Sequence, residues 1–220
     1  MYALTVTDMY AGYRRRLALQ GITASFPTGA ITALVGHNGS GKSTLLNVLA
    51  GVHPTTGGTI ERRHRRRPAL VLQRHSVPDS LPLTTGHVVA MGRWEQRGMW
   101  RRLTTLDRRI IGECMERLAI SHLADRRFDG LSGGQRQRAF LAQALAQQSD
   151  LLLLDEPETG LDAQTRTSLT DLLDELRDDG LTIVHATHDP AMAELADHRI
   201  HLTNGLITPG ATSTGDGSRR

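Results

Sequence analysis

Nine consecutive residues constrain this chain more than any others: Gly36-His37-Asn38-Gly39-Ser40-Gly41-Lys42-Ser43-Thr44. They follow the short apolar run 30–35 and precede Leu45-Leu46-Asn47-Val48-Leu49-Ala50, a helical stretch that Gly51 can end. A buried strand, a glycine-rich turn and a helix, in that order, belong to α/β sheets that bind ligands at the carboxyl ends of their strands. The spacing Gly-x4-Gly-Lys-Ser is that of the Walker A phosphate-binding loop. Glycines let the backbone wrap phosphate oxygens, and successive N–H groups make an anion nest above the helix N-terminus. Lys42 offers a compact ammonium to the β- and γ-phosphates, and Ser43 a hydroxyl to Mg²⁺. Gly36, His37, Asn38, Gly39, Ser40, Gly41 and Thr44 complete the candidate ATP contacts. Among 26 Lys and Arg residues Lys42 is the only lysine. A branched guanidinium does not fit that space.

A hydrophobic content of 39% with 4% aromatics implies a core of Leu, Ala, Val and Ile. The lone Cys114 cannot form an internal disulfide and suits a reducing cytoplasm. No apolar run approaches the roughly 18 to 20 residues that span a bilayer. The N-terminus lacks the charged and apolar regions of a signal peptide, so a soluble, non-exported protein is expected. The net charge of +3 comes largely from arginine, with the densest run at 62–67. No aromatic residues interleave with that run to stack bases. It reads as a solvated hairpin between two strands rather than a site for phosphate backbones or anionic lipid.

Leu4, Val6, Ile22, Ala24 and Phe26 alternate with polar neighbours, which predicts strands near the N-terminus. Helical patterns occupy 84–93 and 105–119, and the block from about 78 to 130 reads as an inserted helical subdomain. Strand–helix alternation then resumes: a helix over 135–148, a strand at 151–154, a helix over 163–178 and a strand at 181–184. Ile200-His201-Leu202, Asn204-Gly205 and Leu206-Ile207 predict a closing hairpin. Residues 208–220 read as a disordered tail. The strand Leu151 to Leu154 ends in Asp155 and Glu156. At the carboxyl end of a buried strand, Asp155 can hold Mg²⁺ and Glu156 can polarise an attacking water. Leu131-Ser132-Gly133-Gly134-Gln135 opens the next helix, with Ser132 as cap and two glycines baring N–H groups, which makes a second anion site.

Together, Gly36 to Ser43, Leu131 to Gln135 and Leu151 to Glu156 resemble the ATP-binding cassette (ABC) proteins over nearly the whole chain, 4–207. The resemblance implies a mainly parallel sheet with an antiparallel β portion and an inserted helical subdomain, one ATPase domain over 1–207. It implies that Tyr13 stacks on adenine and that Gln73 touches Mg²⁺ and the attacking water. By the same resemblance Ser132, Gly133, Gly134 and Gln135 would contact ATP from the partner cassette. Asp162, in Leu161-Asp162, crosses the dimer interface. His188, in Ala186-Thr187-His188-Asp189, resembles the family's histidine that contacts the γ-phosphate. Expected partners are a second copy arranged head to tail, membrane permease subunits at the cytoplasmic face and an extracytoplasmic solute-binding protein, with no nucleic acid. Residues 88–93, 100–102, 107–108 and 123–126 are similar to cassettes of zinc and manganese importers, and iron-chelate importers share part of this pattern. Two other readings are a soluble cassette acting on DNA or ribosomes and a regulator without turnover. The first lacks room for coiled-coil arms or a second cassette, and intact Glu156 and His188 oppose the second. The segment 58–73 is shorter than usual in the family. Glu158 stands where many relatives carry a small polar residue.

Overall fold

The computed structural model describes residues 1–13, 16–72 and 82–208. The chain forms two compact units, one comprising 1–73, 150–159 and 166–220 and the other 74–149 and 160–165.

The first unit holds two sheets. The smaller is antiparallel, in the order β2 (Arg16–Pro27), β1 (Tyr2–Tyr13), β4 (Gly57–Arg62). The larger runs β5 (Ala69–Val71), β6 (Leu151–Asp155), β7 (Thr182–Thr187), β3 (Ile31–Val35), β8 (His198–Thr203), β9 (Leu206–Ile207). Its first five strands are parallel, and β9 returns antiparallel on β8 through Asn204 and Gly205, both at positive φ. That is the Asn-Gly hairpin the sequence predicts.

Helix α1 (Lys42–Leu49) unites the unit's core. Its Leu45, Leu46 and Leu49 pack in one cluster with Leu4, Met9, Ile22 and Phe26 of the small sheet. Leu151, Leu153, Val184 and Ala186 of the large sheet join the same cluster. The interior strands β6 and β7 are buried along their whole length, which explains their continuous apolar runs. Helix α6 (Ala163–Asp178) buries Leu169, Leu173 and Leu176 at helical spacing. The short α7 (Pro190–Glu194) is capped by Asp189, with proline in its first turn.

The expected arginine hairpin at 62–67 does not form. β4 pairs with β1 in the small sheet, whereas β5 pairs with β6 in the large one. Residues 63–68 therefore connect two sheets rather than two paired strands, and an exposed charge pattern carries no signal to separate those cases. Four of the run's arginines, 63 and 65–67, are exposed there, and the Arg65 amide donates to Asp150 Oδ2 at 3.0 Å.

In the second unit α5 (Gly133–Ala146) packs against α2 (Thr85–Ala90) and α4 (Thr105–Arg117). Arg93 and Asp107 lock them from inside, 5% and 0% exposed. Arg93 donates to Asp107 Oδ1 at 3.0 Å and to the Ala146 carbonyl at 2.7 Å. Asp107 Oδ2 accepts from Arg97 at 2.8 Å and from the Thr104 amide at 2.9 Å, and so caps α4. A Cβ at Gly92 would lie 2.2 Å from the Gln143 carbonyl, so only glycine lets this segment lie against α5. Gly92, Arg93 and Asp107, residues of the stretch resembling metal-ion importers, therefore hold helices together.

Candidate active site

The glycine loop leaves β3 and enters α1 with its backbone unusually bare. Gly41 stands at φ 111°, and no side chain caps the helix or places an acid in its first turn. A Cβ on Gly41 would come within 2.8 Å of Leu19, and one on Gly36 within 2.4 Å of the Leu202 carbonyl. The helix N-terminus thus presents uncapped N–H groups and partial positive charge to a hollow. That hollow, about 240 Å³, is lined by Ala18, Asn38, Gly39, Gly41, Lys42, Ser43, Thr44 and Glu156.

Lys42 is 4% exposed; its Nζ donates to the Gly36 carbonyl at 2.8 Å and the His37 carbonyl at 3.3 Å. The same nitrogen lies 3.4 Å from Glu156 Oε1. The other oxygen, Glu156 Oε2, lies 3.3 Å from His188 Nδ1 and accepts from the Thr159 hydroxyl at 3.3 Å. One carboxylate therefore joins the phosphate-loop lysine to the histidine at the end of β7. The backbone is bent to do this: Glu156 has φ 47°, and its amide donates to the Ala186 carbonyl at 3.0 Å. A left-handed conformation is costly for a residue with a Cβ and gathers at functional positions.

Ser43 Oγ donates to Asp155 Oδ1 at 3.0 Å. Burial pushes the Asp155 carboxyl above its usual range and Glu156 adds repulsion, while the Ser43 hydrogen bond and Lys42 pull the other way. A hydroxyl and a carboxylate, both oxygen donors and one electrostatically underpaid, fit Mg²⁺, which takes one or two carboxylates and fills its shell with phosphate and water. Among the described residues no cluster of three or more His, Cys, Asp or Glu suits a resident metal ion.

The structure brings Gly36 to Thr44, Asp155, Glu156 and His188 together in the first unit. Tyr13 belongs to that unit but does not line the hollow; its ring lies against His53, with centroids 4.5 Å apart. Ser132, Gly133, Gly134, Gln135 and Asp162 belong to the second unit. There Ser132 Oγ accepts from the Gln135 amide at 3.3 Å, and Gln135 Oε1 accepts from the Ser132 amide at 3.1 Å. Asp162 accepts from the Thr165 amide at 2.8 Å and is held below the usual carboxylate range mainly by that bond. Gln73 lies outside the described residues. Sequence reasoning missed Ala18, which lines the hollow from a distant strand, and Thr159, which donates to Glu156 from the same turn; neither carries a motif.

Comparison with known proteins decides the family. Residues 19–159 match the family described as ABC transporter. The chain belongs to the ABC transporter family. This ABC ATPase binds and hydrolyses ATP. It is 41% identical over 206 residues to the manganese transport system ATP-binding protein MntA of Synechocystis, covering 90% of this chain and 79% of that one. It is 36% identical to the zinc transport system ATP-binding protein TroB of Treponema pallidum, covering 96% and 82%. A solved ABC transporter of metal-chelate type, in an inward-facing conformation, superposes with a TM-score of 0.86 at 32% identity, covering 94% of this chain and 82% of that one. Among the described residues no helix of this ABC ATPase is long and apolar enough to cross a membrane.

Proposed function

We propose that this ABC ATPase powers import of a divalent metal ion, zinc first and manganese next, from the cytoplasmic face of a membrane. Glu156 carries the catalytic part of the reading, because it touches both Lys42 and His188 beside the phosphate loop. ATP phosphates occupy the Gly36 to Thr44 nest, and adenine stacks on Tyr13. Lys42 Nζ then exchanges its contact with Glu156 for phosphate oxygens, which frees the carboxylate to orient and polarise the attacking water. His188 stays on Glu156 and meets the γ-phosphate. Ser43 and Asp155, with Gln73 in the family pattern, would hold Mg²⁺, which would supply positive charge against the phosphate charge.

The working unit is a head-to-tail homodimer. Each ATP lies between the Lys42 loop of one chain and Ser132 to Gln135 of the other, with Asp162 at the interface. The ATPase domain spans 1–207, and its helical part couples to permease subunits that receive cargo from a solute-binding protein. Support for metal cargo comes from the manganese and zinc relatives and from the 91–126 stretch. A second reading, iron-chelate import, is favoured by a 37% identical relative from Yersinia pestis whose name specifies chelated iron transport.

Deleting the gene tests the cargo. Cellular zinc, or failing that manganese, should fall and growth under chelation should slow. Added metal should restore growth, and a Glu156→Gln copy should not. Normal metal content alongside lost uptake of a chelate or an organic solute would contradict the assignment.

A further inference from the structure

One buried acid beside the site has no part in the chemistry above. Glu158 is 3% exposed, and its Oε1 accepts a hydrogen bond from the Thr187 hydroxyl. Thr187, fully buried, accepts in turn from the Asp189 amide at 3.0 Å. Between those two residues stands His188, whose side chain is 51% exposed. An exposed imidazole gains little order from packing, so its position depends on the backbone beneath it. That backbone is tied on both sides. Glu158 holds Thr187, while Asp189 caps α7 through the Ala191 amide at 2.9 Å and pairs with Arg166 at 3.0 Å.

The turn that carries Glu158 also carries Glu156, closed by the Thr159 amide donating to the Glu156 carbonyl at 3.2 Å. One turn therefore grips the end of β7 at two successive residues: Glu158 at Thr187 and Glu156 at His188. We propose that Glu158 is a positioning residue, which through Thr187 fixes the strand end bearing His188 and so holds the imidazole against Glu156. The inference rests on the role given above to His188. A small polar side chain at 158 is too short to supply the same acceptor.

Stability alone does not account for this acid. Glu158 Oε2 is buried with no hydrogen-bond partner among the described residues. Burial pushes the carboxyl above its usual range. A buried, half-satisfied carboxyl costs the fold free energy that a smaller residue would spare.

The test uses the full chain with Mg-ATP and the variants Glu158→Ala, Glu158→Gln, Thr187→Val and Thr187→Ser. Each is made alone and with His188→Ala. Glu158→Ala should lower kcat by about 10- to 100-fold, the cost of a misplaced group, with KM within about twofold. Its Tm should hold or rise. Glu158→Gln and Thr187→Ser keep the contact and should retain most activity, whereas Thr187→Val should behave like Glu158→Ala. In the His188→Ala background none of the four should cost more. In histidine-labelled protein without nucleotide, the His188 ring resonance, assigned by its loss in His188→Ala, should shift in Glu158→Ala. Wild-type kcat in Glu158→Ala, an equal further loss without His188, or an unmoved ring resonance would overturn the proposal. Wild-type hydrolysis by Glu156→Gln would instead overturn the catalytic reading, and the ring resonance still judges Glu158 in that case.

Discussion

Asp107 and Asp155 are both buried carboxylates, at 0% and 6% exposure, and their surroundings push them in opposite directions. In the helical unit Asp107 receives the hydroxyl and amide of Thr104, and then Arg93 and Arg97, which hold it well below the usual carboxylate range. At the end of β6, Asp155 has one serine hydroxyl and a like charge beside it, and burial drives it up. The first is a completed ion-pair network. The second is a half-satisfied carboxylate, which suits the magnesium role proposed for it. Local satisfaction thus distinguishes these two carboxylates where residue type and burial do not.

The two helix starts repeat the contrast. α5 closes on itself through the Ser132 and Gln135 capping box, whereas α1 has no side-chain cap and leaves its N–H groups to the hollow. The capped loop holds no charge and no base for water. It suits the closing face in the proposed dimer, where the proposed chemistry lies with Lys42 and Glu156.

Exchanging the two kinds of acid gives the sharpest contrast. Glu156→Gln should cut hydrolysis by about a hundredfold or more while ATP binding persists, leaving an ATP-bound dimer on size exclusion. Wild-type turnover would remove Glu156 from the chemistry. Asp155→Asn should likewise abolish most turnover, yet its Tm should hold or rise as repulsion with Glu156 is relieved. Asp107→Ala should do the reverse. It strands Arg93 in the interior, so Tm should fall by several degrees while nucleotide binding at the Lys42 loop persists. A Tm loss in Asp155→Asn larger than in Asp107→Ala would break the comparison.

A pH titration should give a smaller effect. His185 is fully buried and pushed down to about 4. Below its ordinary value of about 6.5 the unfolded chain takes the proton more readily, so stability should fall with pH between 6.5 and 4. His185→Leu should flatten that slope in thermal melts; an unchanged slope would assign it to other groups. The smallest effect belongs to the connection between the sheets. Replacing Arg63, Arg65, Arg66 and Arg67 by glutamine should leave ATPase activity within about twofold, since exposed charges contribute little. A large loss would give that segment a role.

Much of this was legible in the chain. The buried strands Ile31–Val35 and Leu151–Asp155 announce themselves as apolar runs, and each ends in residues whose chemistry needs no partner to be recognised. The helix over 163–178 shows its apolar spacing at Leu169, Leu173 and Leu176. What stayed hidden depends on distant pairing. The arginine connection looks like a hairpin until β4 and β5 choose different sheets. Nothing local marks His53 as the neighbour of Tyr13, or α5 as a companion of α2 and α4. Glu158 was visible as a departure from the family pattern, but its meaning required Thr187, which only the β6–β7 pairing brings near.

Mixing two inactive variants tests the central claim, an ATP site shared between chains. Lys42→Ala spoils the phosphate loop. Gly133→Asp adds a negative charge to the second loop, where a Cβ meets nothing within 4 Å and the fold is spared. Each pure variant should be nearly inactive. Their mixture should regain ATPase activity, because the mixed dimer pairs one intact Lys42 loop with one intact Ser132 loop. A mixture no more active than its components, with dimers present, would contradict the shared site.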